Sequence, residues 1–240
     1  MIKRFFDIVF ALLGLVVSSP ILIPVIILVW KQDWKFPFYI STRVGKNQKL
    51  FNIVKLRSMI IDADKSGVNS TSSDDKRITS IGRFIRKYKL DELTQLWNVL
   101  LGDMSLVGPR PNVKQETDLY TQVEKGLLAI KPGITDLSSI VFSDEGEILM
   151  DYSDPDLAYN QLIRPWKSRL GIVYIQHRSN WMDFSLIFYT VISIFSRKIA
   201  LKWVVKKLKS IDVDHEIVNV SKRTNKLLPS PPPGLDSIIS

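Results

Sequence analysis

IVFALLGLVVSSPILIPVIILVW, residues 8–30, is a run of 23 residues without a charge, and its reading decides the architecture. A straight helix of that length extends about 34 Å, enough to cross the hydrocarbon core of a bilayer. A cleavable signal fits poorly. The run is long for one, and no small-x-small site followed by a polar start stands near its end. Pro20 and Pro24 interrupt the middle, each disfavouring helical geometry in the residue before it. Ser18 and Ser19 stand just ahead, where their hydroxyls can bond backbone groups that the prolines leave unpaired. Spanning helices tolerate a proline kink, so the break alone does not choose between crossing and returning. Lys3 and Arg4 precede the run, and Lys31, Lys35, Arg43, Lys46 and Lys49 follow it. With both flanks basic, the positive-inside rule puts both in the cytoplasm. A helix–break–helix hairpin that dips into one leaflet, with Ser19 and Pro20 at the break, meets both observations. Asp7 can pair with Lys3 or Arg4, or stand as an interfacial charge.

The 240 residues are enough for one domain with appendages. Hydrophobic residues at 45% and charged residues at 24% exclude global disorder. A net charge of +9 points to an anionic partner: a phospholipid surface, nucleic acid or a phosphorylated substrate. The absence of Cys excludes disulfides and thiolate metal sites and fits a reducing compartment. His177 and His215 are too far apart in sequence to suggest a zinc site.

Beyond an interfacial aromatic cluster at residues 34–38, Gly45-Lys46-Asn47 signals a turn and residues 50–56 a short strand. Lys55 and Arg57 lie near its end. Residues 62–76 form a polar, solvated loop. Ile81, Phe84, Ile85 and Tyr88 share one helix face; Arg77, Arg83, Arg86, Lys87 and Lys89 make up the rest, facing either solvent or a membrane or phosphate. Leu93, Leu96, Trp97 and Leu100 repeat that spacing. They predict a helix from Glu92 to about Leu101, with Asp91 as N-cap and Gly102 as stop. Asp91 and Glu92 would then sit at the positive end of a helix dipole, which favours their ionised forms and a nearby phosphate. Residues 136–156 are acidic and loop-like, and residues 183–195 are densely apolar. Residues 199–208 alternate apolar and Lys, as in a helix lying in the lipid interface, with a packed amphipathic helix as the alternative. The Pro-rich end is expected to be partly disordered.

The pair Asp91-Glu92 can cap a helix, bind a cation or attack phosphorus. With Asp103 it offers hard oxygen ligands suited to magnesium. Arg110, between Pro109 and Pro111, has little backbone freedom and can present a fixed fork to a phosphate. Lys131-Pro132-Gly133-Ile134-Thr135 supplies another rigid basic turn. Acid, cation and Arg are parts expected for phosphoryl chemistry. Neither a Walker lysine loop nor GxGxxG occurs.

Residues 43–59, IGRFIR at 81–86, LDELTQLWNVLLGDMSLVGPRP at 90–111 and KPGIT at 131–135 together resemble the bacterial sugar transferase family. These are monotopic phosphoglycosyl transferases, and the resemblance covers roughly residues 1–196. It implies a mostly α, α/β fold: a compact monotopic membrane domain with an N-terminal re-entrant hairpin, interfacial amphipathic helices and a small β element. The hairpin would occupy residues 1–35, the catalytic domain 36–210 and a tail 211–240. The implied reaction transfers a phosphosugar from a UDP-sugar to undecaprenyl phosphate at the cytoplasmic face of the bacterial inner membrane. Asp91 would be the nucleophile and Glu92 its partner, both toward Mg2+. Arg110, Arg86, Lys55, Arg57 and Lys131 would bind substrate phosphates. The phospholipid membrane is a further partner, a homodimer is left open, and nucleic acid is not expected.

The chain departs from the family at Asp136-Leu137-Ser138-Ser139, where many members carry Gly, an aromatic residue, Ala and Gln. Residues 144–166 look like a subgroup insertion that touches the sugar or orders the site, so sugar identity does not carry over. A nonenzymatic adaptor binding anionic lipid explains the charge and the hairpin. It gives no reason for Asp91-Glu92 and Arg110.

Overall fold

In a computed structural model that describes residues 2–66 and 70–239, the N-terminal segment forms a helix, α1 (Ile2–Asp33). It runs without interruption through Pro20 and Pro24, which corrects the expected helix–break–helix. The reason lies in the serines. Pro20 has no N–H for the Val16 carbonyl, and Ser19 Oγ donates to that carbonyl instead at 2.7 Å. Ser18 Oγ reaches the Leu15 carbonyl at 3.4 Å. Ser19 thus does what was expected and helps keep the segment helical, while Ser18 bonds a carbonyl that neither proline leaves open. By length and composition α1 could cross a membrane, and Leu12, Leu13, Val16, Val17, Ile21 and Ile23 are exposed along it.

Both ends of α1 are bonded to the rest of the chain. At the start, Arg4 donates to the Val99 carbonyl and, at 2.9 Å, to the Leu100 carbonyl. Asp7 accepts from Ser105 Oγ at 3.0 Å and from the Leu106 N–H at 3.1 Å. Lys3 pairs with Asp183 at 2.5 Å. At the other end, Asp33 takes two bonds from Arg57, at 2.5 and 2.7 Å. Between them Leu22, Val25 and Val29 pack on Leu56, Ile85 and Leu90.

Strands β1 (Phe38–Val44) and β2 (Leu50–Leu56) form an antiparallel hairpin. Helix α2 (Ser80–Lys87) follows, capped by the Thr79 side chain. Next come α3 (Leu90–Leu93), α4 (Leu96–Leu101) and β3 (Ser105–Val107). Helix α5 (Lys114–Asp118) precedes β4 (Gly133–Thr135), which lies parallel to β3 with Val107 opposite Thr135. That pairing brings Gly108-Pro109 beside Pro132-Gly133. A Cβ on Gly133 would lie 2.0 Å from the Gly108 nitrogen, so glycine is required for the approach.

The core gathers Leu137, Ile140 and Val141 of α6 (Leu137–Val141), Leu170 and Tyr174 of α9 (Arg164–His177), and Leu186 of α10 (Asn180–Phe195). Between α6 and α9 lie α7 (Glu145–Met150), α8 (Pro155–Ala158) and a π-turn, Tyr159–Ile163. Helix α11 (Arg197–Ser210) corrects the interfacial expectation for residues 199–208. Ala200, Leu201, Val204 and Leu208 are buried in the core, because their shared face finds protein to pack on. After α12 (His215–Ser221), Leu227 and Ser230 are buried, and the carbonyls of Pro231 and Pro233 accept bonds from Arg169 and Thr121.

Candidate active site

The dyad is placed by long-range bonds between α3–α4 and β2. Thr94 Oγ1 donates to the Val54 carbonyl at 2.9 Å. Asn98 accepts from the Val54 N–H at 3.0 Å and donates to the Asn52 carbonyl at 2.7 Å. These bonds divide the expected helix over residues 92–101 into α3 and α4, with Thr94 and Gln95 between. They also set Lys55, next to Val54, beside the dyad. Lys89 adopts a left-handed conformation, φ 53°, and turns the chain sharply from α2 into α3. Asp91 consequently lies inside the first turn and is not the N-cap. Gly102 ends α4 at φ 93°, as the sequence suggests.

The two carboxylates have different surroundings. Glu92 pairs with Arg110 at 2.6 Å. Burial works against its charge, but Arg110, Lys55 and Lys89 prevail and bring it down to about 2. Arg110 holds its own proton more firmly in return, because of the Glu92 charge. The Asp91 carboxylate makes no hydrogen bond or ion pair among the described residues; only its backbone carbonyl is engaged, by Thr94 Oγ1 at 3.1 Å. Burial and the neighbouring Glu92 raise its affinity for a proton, and Lys55, Arg86 and Arg110 oppose them. The expected symmetry of a helix dipole acting on both groups is therefore absent: burial leads at Asp91, and the neighbouring cations prevail at Glu92. Lys55 is pushed down to about 8, by burial and then by Arg110. Arg86, lowered by burial, donates to Ser58 Oγ at 3.0 Å and adds to the positive field at Asp91.

Lys55, Arg86, Asp91, Glu92 and Arg110 are thus brought together. Arg57 is not: it is buried and holds Asp33 and, at 3.0 Å, the Phe36 carbonyl. Lys131 lies at the far end of α4, near Arg4 and Asp7, with Asp103 also acting on it. Ser19 and Pro20 remain on α1. Several neighbours escaped the sequence argument. Lys89 acts on Glu92, and Arg43 lies near Glu116 and Arg110. Lys167 pairs with Glu145 and sits 5.3 Å over the Tyr159 ring; Glu145 and Tyr159 both share the field of Arg110. The acidic stretch and its aromatic residue were a signal; their meeting with Arg110 is tertiary.

Among the described residues no group of three or more His, Asp or Glu forms a metal cage. Asp91 beside Glu92 still fits magnesium, an ion bound through one or two carboxylates with phosphate oxygens completing its shell. A small cleft adjoins Arg110, lined in part by Val44, Tyr120, Leu127 and Ile130.

The bacterial sugar transferase family matches residues 1–197. A galactosyl transferase, CpsE, of Streptococcus agalactiae is 36% identical over 203 residues, covering 79% of this chain and 41% of its own. The undecaprenyl-phosphate galactose phosphotransferase of Salmonella typhimurium is 35% identical over 207 residues, 79% of this chain and 39% of its own. The undecaprenyl-phosphate glucose phosphotransferase of Komagataeibacter xylinus is 37% identical over 204 residues, 81% of this chain and 36% of its own. The chain therefore spans about two fifths of the length of these curated relatives. With most of its length matched and the dyad, the Pro-Arg-Pro turn and the β3–β4 junction inside the match, the chain belongs to the bacterial sugar transferase family.

Proposed function

We propose that this protein transfers a phosphosugar from a UDP-sugar to undecaprenyl phosphate through Asp91. An Asp91 oxygen attacks the β-phosphorus, the bond from that phosphorus to the UMP oxygen breaks, and UMP leaves with the electron pair. An aspartyl-phosphosugar remains. An oxygen of the lipid phosphate then attacks the same phosphorus, the bond to Asp91 breaks, and the lipid diphosphate-sugar forms as the carboxylate is restored. The observation that carries this reading is the contrast within the dyad: Glu92 is anchored by Arg110, while the Asp91 carboxylate has no bonded partner among the described residues and lies in the field of Lys55, Arg86 and Arg110. Those cations would bind and orient the phosphates and stabilise charge on the equatorial oxygens. Asp91 and Glu92 would hold Mg2+, which when bound neutralises the diphosphate.

The membrane part of the proposal is an α1 that stays helical but kinks at Pro20 and Pro24, so that it re-enters and both its ends lie on the cytoplasmic side of the bacterial inner membrane. Its support is that Arg4 and Asp33, near opposite ends of the helix, are both bonded to one region of the chain. Arg4 holds the end of α4, and Arg57, three residues beyond the Val54 that Asn98 binds, holds Asp33. The deciding experiment is a UMP-release screen of UDP-sugars with undecaprenyl phosphate and magnesium. Activity with a sugar names the substrate. Silence across a broad panel would favour an adaptor that binds anionic lipid without chemistry.

A further inference from the structure

Pro165 stands four residues after Gln161 and has no N–H, so it cannot give the Gln161 carbonyl its α-helical bond. The helix widens there into the π-turn, and the chain end supplies a donor: the Ser230 N–H reaches the Gln161 carbonyl at 3.0 Å. The Gln161 side chain is held as well, its Nε2 donating to the Ile239 carbonyl at 2.7 Å. Two further bonds anchor the same stretch. Arg169 donates to the Pro231 carbonyl at 2.9 Å, and Thr121 Oγ1 to the Pro233 carbonyl at 2.6 Å. All of these tail residues lie outside the family match over residues 1–197.

The same turn opens with Tyr159. Lys167 lies 5.3 Å over the Tyr159 ring and pairs with Glu145, whose charge acts on Arg110. A shift of the turn would move Tyr159, and with it the lysine that joins α9 to α7.

We propose that Gln161 is a positioning residue: the C-terminal segment, residues 222–239, grips it and so fixes the Tyr159–Lys167–Glu145 wall of the substrate site. The proposal rests on the phosphosugar transfer argued above. The segment touches none of Lys55, Arg86, Asp91 or Glu92 through these bonds, so its loss loosens the holding of the UDP-sugar and leaves the nucleophile intact.

Two substitutions in the full chain test this. Gln161→Leu removes the side-chain amide, and Ser230→Pro removes the N–H donor together with the hydroxyl, within a stretch already flanked by prolines. In each, the KM for the UDP-sugar is expected to rise about tenfold with kcat held within about twofold. Hydrogen exchange should quicken at residues 159–166 and stay constant at residues 90–101. Faster exchange with an unchanged KM would make the segment a structural cover and overturn the proposal. So would a fall in kcat at constant KM. Should the unaltered protein release no UMP from any UDP-sugar, the transfer itself fails. Exchange at residues 159–166 then decides the grip, and no acceleration in either variant refutes it.

Discussion

Arg110 meets Glu92 at 2.6 Å, while Asp91, the adjacent residue, keeps a carboxylate with no bonded partner among the described residues. The ion pair gives one acid a fixed place and leaves the other as the proposed nucleophile. Two neighbours of the same chemical type are thereby divided by a residue 18 positions further along the chain.

This division predicts opposite effects on activity and stability. Asp91→Asn should reduce UMP release at least about a thousandfold, as expected when a covalent nucleophile is removed. Its melting temperature should hold or rise, because the folded state disfavours the Asp91 charge. Glu92→Gln should lower stability by about 2–3 kcal/mol, since it leaves Arg110 unpaired in a half-buried site. The Glu92 contribution is present above its ordinary value of 4.5 and is lost as pH falls toward about 2, so the two proteins should converge in acid. Thermal melts across pH beside a UMP-release assay check this. Normal turnover by Asp91→Asn would remove it as nucleophile.

Lys55 sets a second pH limit. Its charge is lost as pH rises through about 8, so kcat/KM should fall on the basic side near that value. On the acid side kcat/KM should fall as Asp91 gains a proton, at a pH above the ordinary aspartate range. Lys55→Arg should keep the charge and move the basic limb upward. Stability has its own sign. The unfolded chain binds more protons than the folded one between about 8 and 10.5, so Lys55 makes stability rise with pH across that window. A basic limb unmoved in Lys55→Arg would assign it to another group.

Arg57 separates a structural cation from those proposed to bind substrate. It is 6% exposed at its side chain and its partner Asp33 is 31% exposed. Arg57→Met should cost about 1–3 kcal/mol, several degrees of melting temperature, because a buried pair is broken. The KM for UDP-sugar should not move. Lys131→Ala should likewise leave KM unchanged, since Lys131 lies with Arg4 at the far end of α4. A tenfold rise in KM in either variant would return that residue to the phosphate site.

What the sequence disclosed follows from how local each feature is. The stop at Gly102, the strand over residues 50–56 and the face shared by Ile81 and Ile85 depend on neighbours within a few positions, and each is found. Ser19 is a sharper case. Its bond to the carbonyl that Pro20 leaves open is local, and it was expected; its consequence, a helix that continues, depends on the whole segment. The division of residues 92–101 was hidden, because Thr94 and Asn98 bond β2 some forty residues earlier. The meeting of Arg110 with Glu92 was half visible: composition suggested a rigid guanidinium, and only the folded chain, with β3 paired to β4, puts it at the dyad. The bonds of the tail were hidden for a related reason. Proline-rich composition lacks N–H donors, but its carbonyls accept bonds that side chains such as Arg169 and Thr121 supply.

The topology of α1 can be read by labelling. Ile2 is exposed and precedes the residues that bond Val99 and Asp183, so Ile2→Cys should leave those bonds intact. Lys35 follows Asp33 at the opposite end, and Lys35→Cys keeps the backbone N–H that Asp33 accepts at 3.0 Å. The protein has no other Cys, so each variant carries one reactive thiol. Intact right-side-out cells should protect both thiols from a membrane-impermeant maleimide, and inverted vesicles should expose both. That outcome follows if Arg4 and Arg57 hold their ends of α1 to the same cytoplasmic body while Leu12 to Ile23 enter lipid. Labelling of Ile2→Cys in intact cells, with Lys35→Cys protected, would mean that α1 crosses the bilayer and that the bonds of Arg4 are not made in the membrane.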